Sequence, residues 1–246
     1  MGDYLRLNAE ILYWTFIAPF KKRGFSGAAV FRQMIVIGVQ AIPMAALTSL
    51  SIGLTLAMQG AHELARMGAT AYVPDLISIS LLRELGPLLV GIVVIGRSGS
   101  AVTAELGTMK VSEEIEALEV MDINPVRFLV VPRVIAMMIM LPVLTVFGDY
   151  IGMFGGWTFC VTALELDTGA YILRMVNAAT GEDFVSGIGK SVVFAWLIVT
   201  IACHSGLGVE GGAEGVGRAT TDSVVLSSAA MLVANAILTG VLFLTA

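Results

Sequence analysis

Formal charge is what this chain has least of: Asp, Glu, Lys and Arg make up 13% of its 246 residues, about half the usual share in a soluble domain. Hydrophobic residues reach 57%, which points away from soluble packing and toward a polytopic membrane protein. The net charge of −5 supplies no basic field for nucleic acid. Cysteine is scarce too. Cys160 and Cys203 stand apart in apolar runs without C-x-x-C spacing and read as small buried thiols. Histidine is limited to His62 and His204, and no H-x-x-x-H or Cys/His cluster supports a metal site. A cleavable signal is also missing, because the first long apolar run starts only near Met34 and is too long for a signal core. What is plentiful is Gly, with 27 copies, and Met, with 13. Glycine is commoner in membrane helices than in soluble ones.

A bilayer core needs about 20 apolar residues as helix. Five runs qualify: Met34–Met58, Leu76–Gly96 (interrupted by Arg83 and Glu84), Val134–Leu164 (with Asp149 inside), Ser191–Val209 and Ser223–Ala246. They are continuous, without the period-two alternation of a membrane β-barrel, so the fold class is all-α integral membrane. With the N-terminus in the cytoplasm, Arg6, Lys21, Lys22, Arg23, Arg32, Arg97, Lys110, Arg127, Arg133 and Arg218 fall inside, and Arg66, Arg83, Arg174 and Lys190 fall on or toward the far side. Ten against four sets the N-terminus in and the C-terminus out. Ahead of the first span, Tyr4, Tyr13, Trp14, Phe16 and Phe20 mix with Leu and Ile and end in the basic Lys21–Arg23 cluster. That composition suits a helix lying in the headgroup zone, with the cluster as a topology anchor.

Three motifs imitate catalytic chemistry. Gly206–Gly211, GLGVEG, matches G-x-G-x-x-G but follows a membrane helix, where a dinucleotide fingerprint needs a preceding strand. Gly189–Ser191, GKS, ends like a phosphate loop, yet Phe184 stands where that loop needs its first glycine. This chain therefore has no such loop of its own, and any ATP that drives it must bind elsewhere. Gly96–Ser100, GRSGS, resembles a nucleophile elbow with its last Gly replaced, so an intramembrane serine hydrolase built on Ser98 is a rival reading. Small residues at this density more often serve close helix packing.

The least lipid-like stretch is Glu105–Pro125, ELGTMKVSEEIEALEVMDINP, with six acids and one lysine. It lies between the second and third spans, on the cytoplasmic side. Ser112 is a good N-cap, with Glu113 and Glu114 in the first turn. Val111, Ile115, Leu118 and Met121 make an apolar stripe opposite Glu113, Glu116 and Glu119, and DINP ends the helix. Physical chemistry alone allows either a docking helix or a merely solvated interfacial one.

The run LLRELGPLLVGIVVIGRSGSAVTAELGTMKVSEEIEALEVMDINPVRFLVVPRVIA, together with KSVVF at Lys190–Phe194 and GRATTDSVVLSSAA at Gly217–Ala230, resembles MlaE/YrbE-type permeases. These are the membrane subunits of the Mla phospholipid ABC transporter, associated with MCE proteins. The resemblance covers nearly the whole chain; the loop GVEGGAEGV departs from it. It implies one permease domain over 1–246, with an interfacial or elbow region at 1–33 and transmembrane helices over 34–246. It also implies glycerophospholipid movement between the inner membrane and a periplasmic MCE protein, maintaining outer-membrane lipid asymmetry. The chain itself would be non-catalytic and hold no cofactor, with ATP and Mg bound by a partner ATPase.

The implied partners are a second copy of this chain, an MlaF-like cytoplasmic ATPase, an MlaD-like hexameric MCE protein and an MlaB-like STAS-domain protein. By the same resemblance Val111, Glu113, Glu114, Ile115, Glu116, Leu118, Glu119 and Met121 belong to a coupling helix seated on the ATPase. Arg218, in the expected loop Gly206–Asp222, adds a secondary contact. Ionisable residues inside a span mark function by default. Arg83 is expected to hold a lipid phosphate, and Glu84 to pair with the partner copy's Arg83 or meet a zwitterionic headgroup. Asp149 and Lys190 stand as weaker candidates that pair with other charges. An ion-coupled secondary carrier using Arg83, Glu84 and Asp149 is the other rival; the absence of a visible internal repeat speaks against it.

Overall fold

The computed structural model describes residues 2–17 and 26–245. Phe20 and the Lys21–Arg23 cluster lie outside the described residues. Among those described there is no strand, and five helical stretches are long and apolar enough to cross a membrane: Gly27–Arg66, Thr70–Val111, Val126–Ala163, Gly181–Leu207 and Gly212–Leu244. The chain is an all-α integral membrane protein. The helices run further than the apolar runs did, because Glu182, Asp183 and Arg218 continue a helix beyond its greasy part. Hydropathy locates the lipid-facing length of a helix and not its ends.

In chain order the helices are α1 (Gly2–Leu12), α2 (Gly27–Ile37), α3 (Ile42–Arg66), α4 (Val73–Ser80), α5 (Gly86–Val94), α6 (Ser100–Val111), α7 (Glu114–Val120), α8 (Val131–Ala163), α9 (Thr168–Ala178), α10 (Gly181–Leu207) and α11 (Gly212–Thr245). The second span is α4, α5 and α6 joined through two wide π-type turns, Leu81–Leu85 and Ile95–Gly99. Such turns insert a residue into the helical ladder and re-aim the side chains they contain.

The helices gather into two compact units. The first comprises Met1–Ala41, Val94–Met140 and Val193–Ala234. Within it α1 packs against other helices. Its Leu7 and Ile11 are buried, the Tyr4 hydroxyl is 2.8 Å from the Thr200 hydroxyl, and the Tyr4 ring meets His204 edge-on. The Arg127 guanidinium stands over the Trp14 ring, 5.5 Å from its centroid. Arg133 is buried against the Glu105 carboxylate at 2.8 Å. The Thr103 hydroxyl lies 3.1 Å from the Ala202 carbonyl and 2.9 Å from the Ser223 hydroxyl.

The second unit comprises Ile42–Val93, Leu141–Val192 and Asn235–Ala246. Here α3 and α8 touch backbone to backbone. A Cβ on Gly53 would collide with the Gly152 carbonyl, and one on Gly148 would come 2.8 Å from the Ser49 hydroxyl. Ser49-x-x-x-Gly53 faces Gly148-x-x-x-Gly152, the small-residue spacing that lets membrane helices approach closely. Beside it Ala57, Val73, Ile77, Leu81, Met153 and Tyr171 form an apolar cluster. The Tyr171 hydroxyl donates to the Met153 carbonyl at 3.0 Å, and Ser78 donates to the Met175 carbonyl at 3.1 Å.

Candidate functional site

Arg83 and Glu84 sit in the π-type turn Leu81–Leu85 and point to separate partners, as adjacent helical residues about 100° apart should. Arg83 Nε meets Asp183 Oδ1 at 3.0 Å. Asp183 is 5% exposed, and it is held in place by the Thr180 hydroxyl, which donates to it at 2.7 Å. The Thr180 and Asp183 backbone N–H groups each reach the other residue's side-chain oxygen at 3.3 Å. This reciprocal cap opens α10 and holds the carboxylate that Arg83 meets. Half of the Arg83 side chain stays exposed, and no described residue binds its terminal nitrogens. A guanidinium held through Nε alone keeps donors for a phosphate.

Glu84 forms the second pair. Its Oε1 accepts from the Lys190 ammonium and from Thr239 Oγ1 at 2.8 Å, and its Oε2 accepts from Asn235 Nδ2 at 3.2 Å. Lys190 is buried and also donates to Thr239 at 2.9 Å and to the Arg83 carbonyl at 3.0 Å. The last bond has a local cause in Gly86-Pro87. Proline has no N–H for the carbonyl four residues back, so the Arg83 carbonyl is open to the lysine. All three ammonium donors are engaged, so the buried lysine leaves no donor unmet.

One member of each pair borders a cavity of about 670 Å³, lined by Arg83, Glu182, Ser186 and Lys190 on one part and by Leu238 and Leu242 on another. Cations beside an apolar wall suit an amphiphile with an anionic head. Of the two predicted residues, Arg83 lines this cavity, whereas Glu84 does not line it but bonds Lys190, which does. Within its own chain Glu84 meets Lys190. The sequence reading missed Asp183, Asn235 and Thr239. The T-x-x-D pattern at Thr180–Asp183 signals a helix start, but nothing local tells that its acid meets an arginine 100 positions earlier.

The segment after the second span differs from the expected helix. Ser112 does not cap α7: its hydroxyl donates back to the Thr108 carbonyl at 2.8 Å, closing α6. Glu113 takes φ of 60°, a left-handed turn that starts α7 at Glu114. Val111 therefore ends α6, and the four-residue stripe is split. Ile115 is buried, Leu118 half-buried, and Val111, Val120 and Met121 are exposed. Lys110 pairs with Glu116, and the hydrogen bond from that ammonium holds the Glu116 carboxyl below its ordinary range. Glu114 and Glu116 occupy the first turn, with Glu113 and Glu119 exposed nearby. Arg218 lies on α11, paired with Glu214 at 3.0 Å, both side chains exposed. The expected loop Gly206–Asp222 shrinks to 208–211, because residues from Gly212 on are helical.

Ser98, the candidate hydrolase nucleophile, is 2% exposed and donates to the Ile37 carbonyl at 2.8 Å. Neighbouring Arg97 reaches the Val36 carbonyl at 3.1 Å and Gln40 Oε1 at 2.9 Å. These bonds tie the second π-type turn to the end of α2. Ser98→Ala is expected to cost about 1 kcal/mol of stability and to leave transport within about twofold. Lost transport with normal assembly would instead revive the hydrolase.

Comparison with known proteins agrees with this picture. The family model described as Permease MlaE matches residues 30–241. A "Probable ABC transporter permease protein" of Rickettsia typhi is 39% identical over 87% of this chain and 83% of its own length. The "Intermembrane phospholipid transport system permease protein MlaE" of Haemophilus influenzae is 37% identical over 86% of this chain and 82% of its own. A further relative from Synechocystis, also a "Probable ABC transporter permease protein", is 37% identical over 86% of this chain and 80% of its own. Since the matched stretch reaches into all five membrane helices and takes in both ion pairs and α7, the chain belongs to the MlaE permease family.

Proposed function

We propose that this chain is the permease subunit of an ABC transporter that moves glycerophospholipid between the inner membrane and a periplasmic hexameric MCE protein, so maintaining outer-membrane lipid asymmetry. The observation that carries the reading is the cavity edged by Arg83 and Lys190 with an apolar wall of Leu238 and Leu242. Arg83 receives the lipid phosphate, and the Glu84–Lys190 pair fixes the helices around it. Membership of the family and the name of the Haemophilus influenzae relative support the choice of lipid. Two copies of the chain assemble with a cytoplasmic ATPase that binds ATP and Mg, and with a STAS-domain regulator. The N-terminus faces the cytoplasm and the C-terminus the periplasm, in keeping with the lysine and arginine bias.

ATPase closure reaches the membrane through α7. Ile115 roots this helix in the permease. Exposed Val120 and Met121, flanked by Glu113 and Glu119, form an apolar contact with an acidic rim that sets orientation. Affinity purification of the membrane complex tests both halves. Glu113→Lys with Glu119→Lys is expected to cut co-purified ATPase at least tenfold. Arg83→Gln is expected to keep the ATPase but to lower bound phospholipid and transport by a similar factor. A wild-type chain that captures no ATPase, or an Arg83→Gln chain that moves lipid normally, would overturn the reading.

A further inference from the structure

Asp149 is used by neither ion pair. It lies on α8 in the middle of the third span, 4% exposed, and its Oδ1 has no hydrogen-bond partner among the described residues. Its setting is built around the carboxyl. A Cβ on Gly86 would run into Oδ1, so only glycine at that position admits the acid. The same carboxyl borders a cavity of about 390 Å³, distinct from the paired-charge cavity although Gly181 lines both. Ser78, fully buried, is a second polar group on its wall, and its hydroxyl proton goes to the Met175 carbonyl. Thr180 and the largely exposed Tyr150 also border it, and the rest of the wall is apolar, including Leu82, Met153, Val176 and Phe184.

The Ser78 and Thr180 hydroxyls on this wall therefore have no proton to spare, since they donate to the Met175 carbonyl and to Asp183. The Asp149 carboxyl, in turn, borders the cavity with no protein donor on its Oδ1 among the described residues. A buried acceptor without a donor is unfavourable, and a ligand that brings one relieves it. The volume is at the low end of small-molecule sites, about 300–1,000 Å³, which suits one short chain rather than a two-chained lipid. Deep in a membrane the occupant arrives through the apolar phase. We infer that this cavity is a second binding site, for a small amphiphile whose hydroxyl or ammonium head donates to Asp149 while its apolar body packs on Met153, Val176 and Phe184. The site is independent of the transport reading, since it uses neither Arg83 nor Lys190.

The test uses the purified transporter in lipid nanodiscs with three photoreactive probes of equal chain length: an alkanol, an alkylamine and the methyl ether of the alkanol. The labelled peptides are then mapped. In the wild type the alkanol or the alkylamine is expected to label 146–153 and 175–184 about fivefold more than the ether, the size of one net hydrogen bond. Asp149→Leu is expected to reduce all probes to the level of the ether. Ala179→Trp, placed in the short link between α9 and α10, fills the cavity while keeping the acid, and is expected to abolish labelling there. It carries the test alone if the Asp149 variant fails to accumulate. Equal labelling by donor-headed and ether probes, or an unchanged preference in Ala179→Trp, would overturn the proposal and leave a water-filled space. Arg83→Gln should not alter the labelling, so failure here and failure of the transport reading are told apart.

Discussion

Lys190→Met is expected to be among the most damaging single substitutions in the chain. It removes an ammonium whose side chain is 1% exposed and leaves Glu84, 32% exposed, facing Asn235 and Thr239 without a cation. Breaking a fully buried pair costs about 3–5 kcal/mol. Water reaches Glu84 in part, which lowers the expectation to roughly 2–3 kcal/mol. The Arg83 carbonyl loses its donor as well, so the π-type turn that aims Arg83 slackens. The thermal midpoint of the purified complex should fall clearly and transport should drop more than tenfold. Lys190→Met combined with Glu84→Gln removes the stranded charge and should regain at least half of the lost stability without regaining transport. Additive losses in this cycle would show that the two residues act separately and would sink the account.

Gly53→Leu should be comparably severe for a different reason. At Gly53 the α3 backbone rests on the Gly152 carbonyl of α8, with no room for even a methyl group. Overpacking typically costs about 1–3 kcal/mol and sometimes more, and a rigid backbone neighbour places this site at the upper end. Separating α3 from α8 also disturbs Ser49 against Gly148 and the nearby Leu81–Met153 cluster. The variant is expected to accumulate poorly, and Gly53→Ala to lower the thermal midpoint measurably. Gly240→Ala is the control: nothing lies within 4 Å of a Cβ there, so alanine should be neutral or stabilise α11 by up to about 1 kcal/mol. If both alanine variants behave alike, close packing at Gly53 is not what the glycine is for.

The particular residues divide cleanly by what could be read in advance. The five spans were legible because a stretch of about 20 apolar residues has few fates other than crossing lipid. Arg83 and Glu84 were legible as unusual for the same reason, since charge inside such a stretch is costly. The partners were not: Asp183 and Lys190 come from α10, Asn235 and Thr239 from α11, and each looks ordinary in its own helix. The α7 segment misled in a more instructive way. Ser112 has the chemistry of an N-cap, but a serine at a helix end can also bond backward. The Thr108 carbonyl and a left-handed Glu113 decided the matter. The serine in GRSGS likewise proved to be a tie to the Ile37 carbonyl.

By itself, then, the sequence determined that this chain lives in a membrane, how many times it crosses and which ionisable residues are out of place there. Hydrophobicity acts locally along a helix and needs no knowledge of neighbours. Only the tertiary structure decided how the charges pair, that Gly86 makes room for the Asp149 carboxyl, and that Asp149 is left with an unmet oxygen beside a cavity. Those facts depend on which helix faces meet, and in lipid that is settled by steric fit and by polar groups seeking partners across long sequence distances.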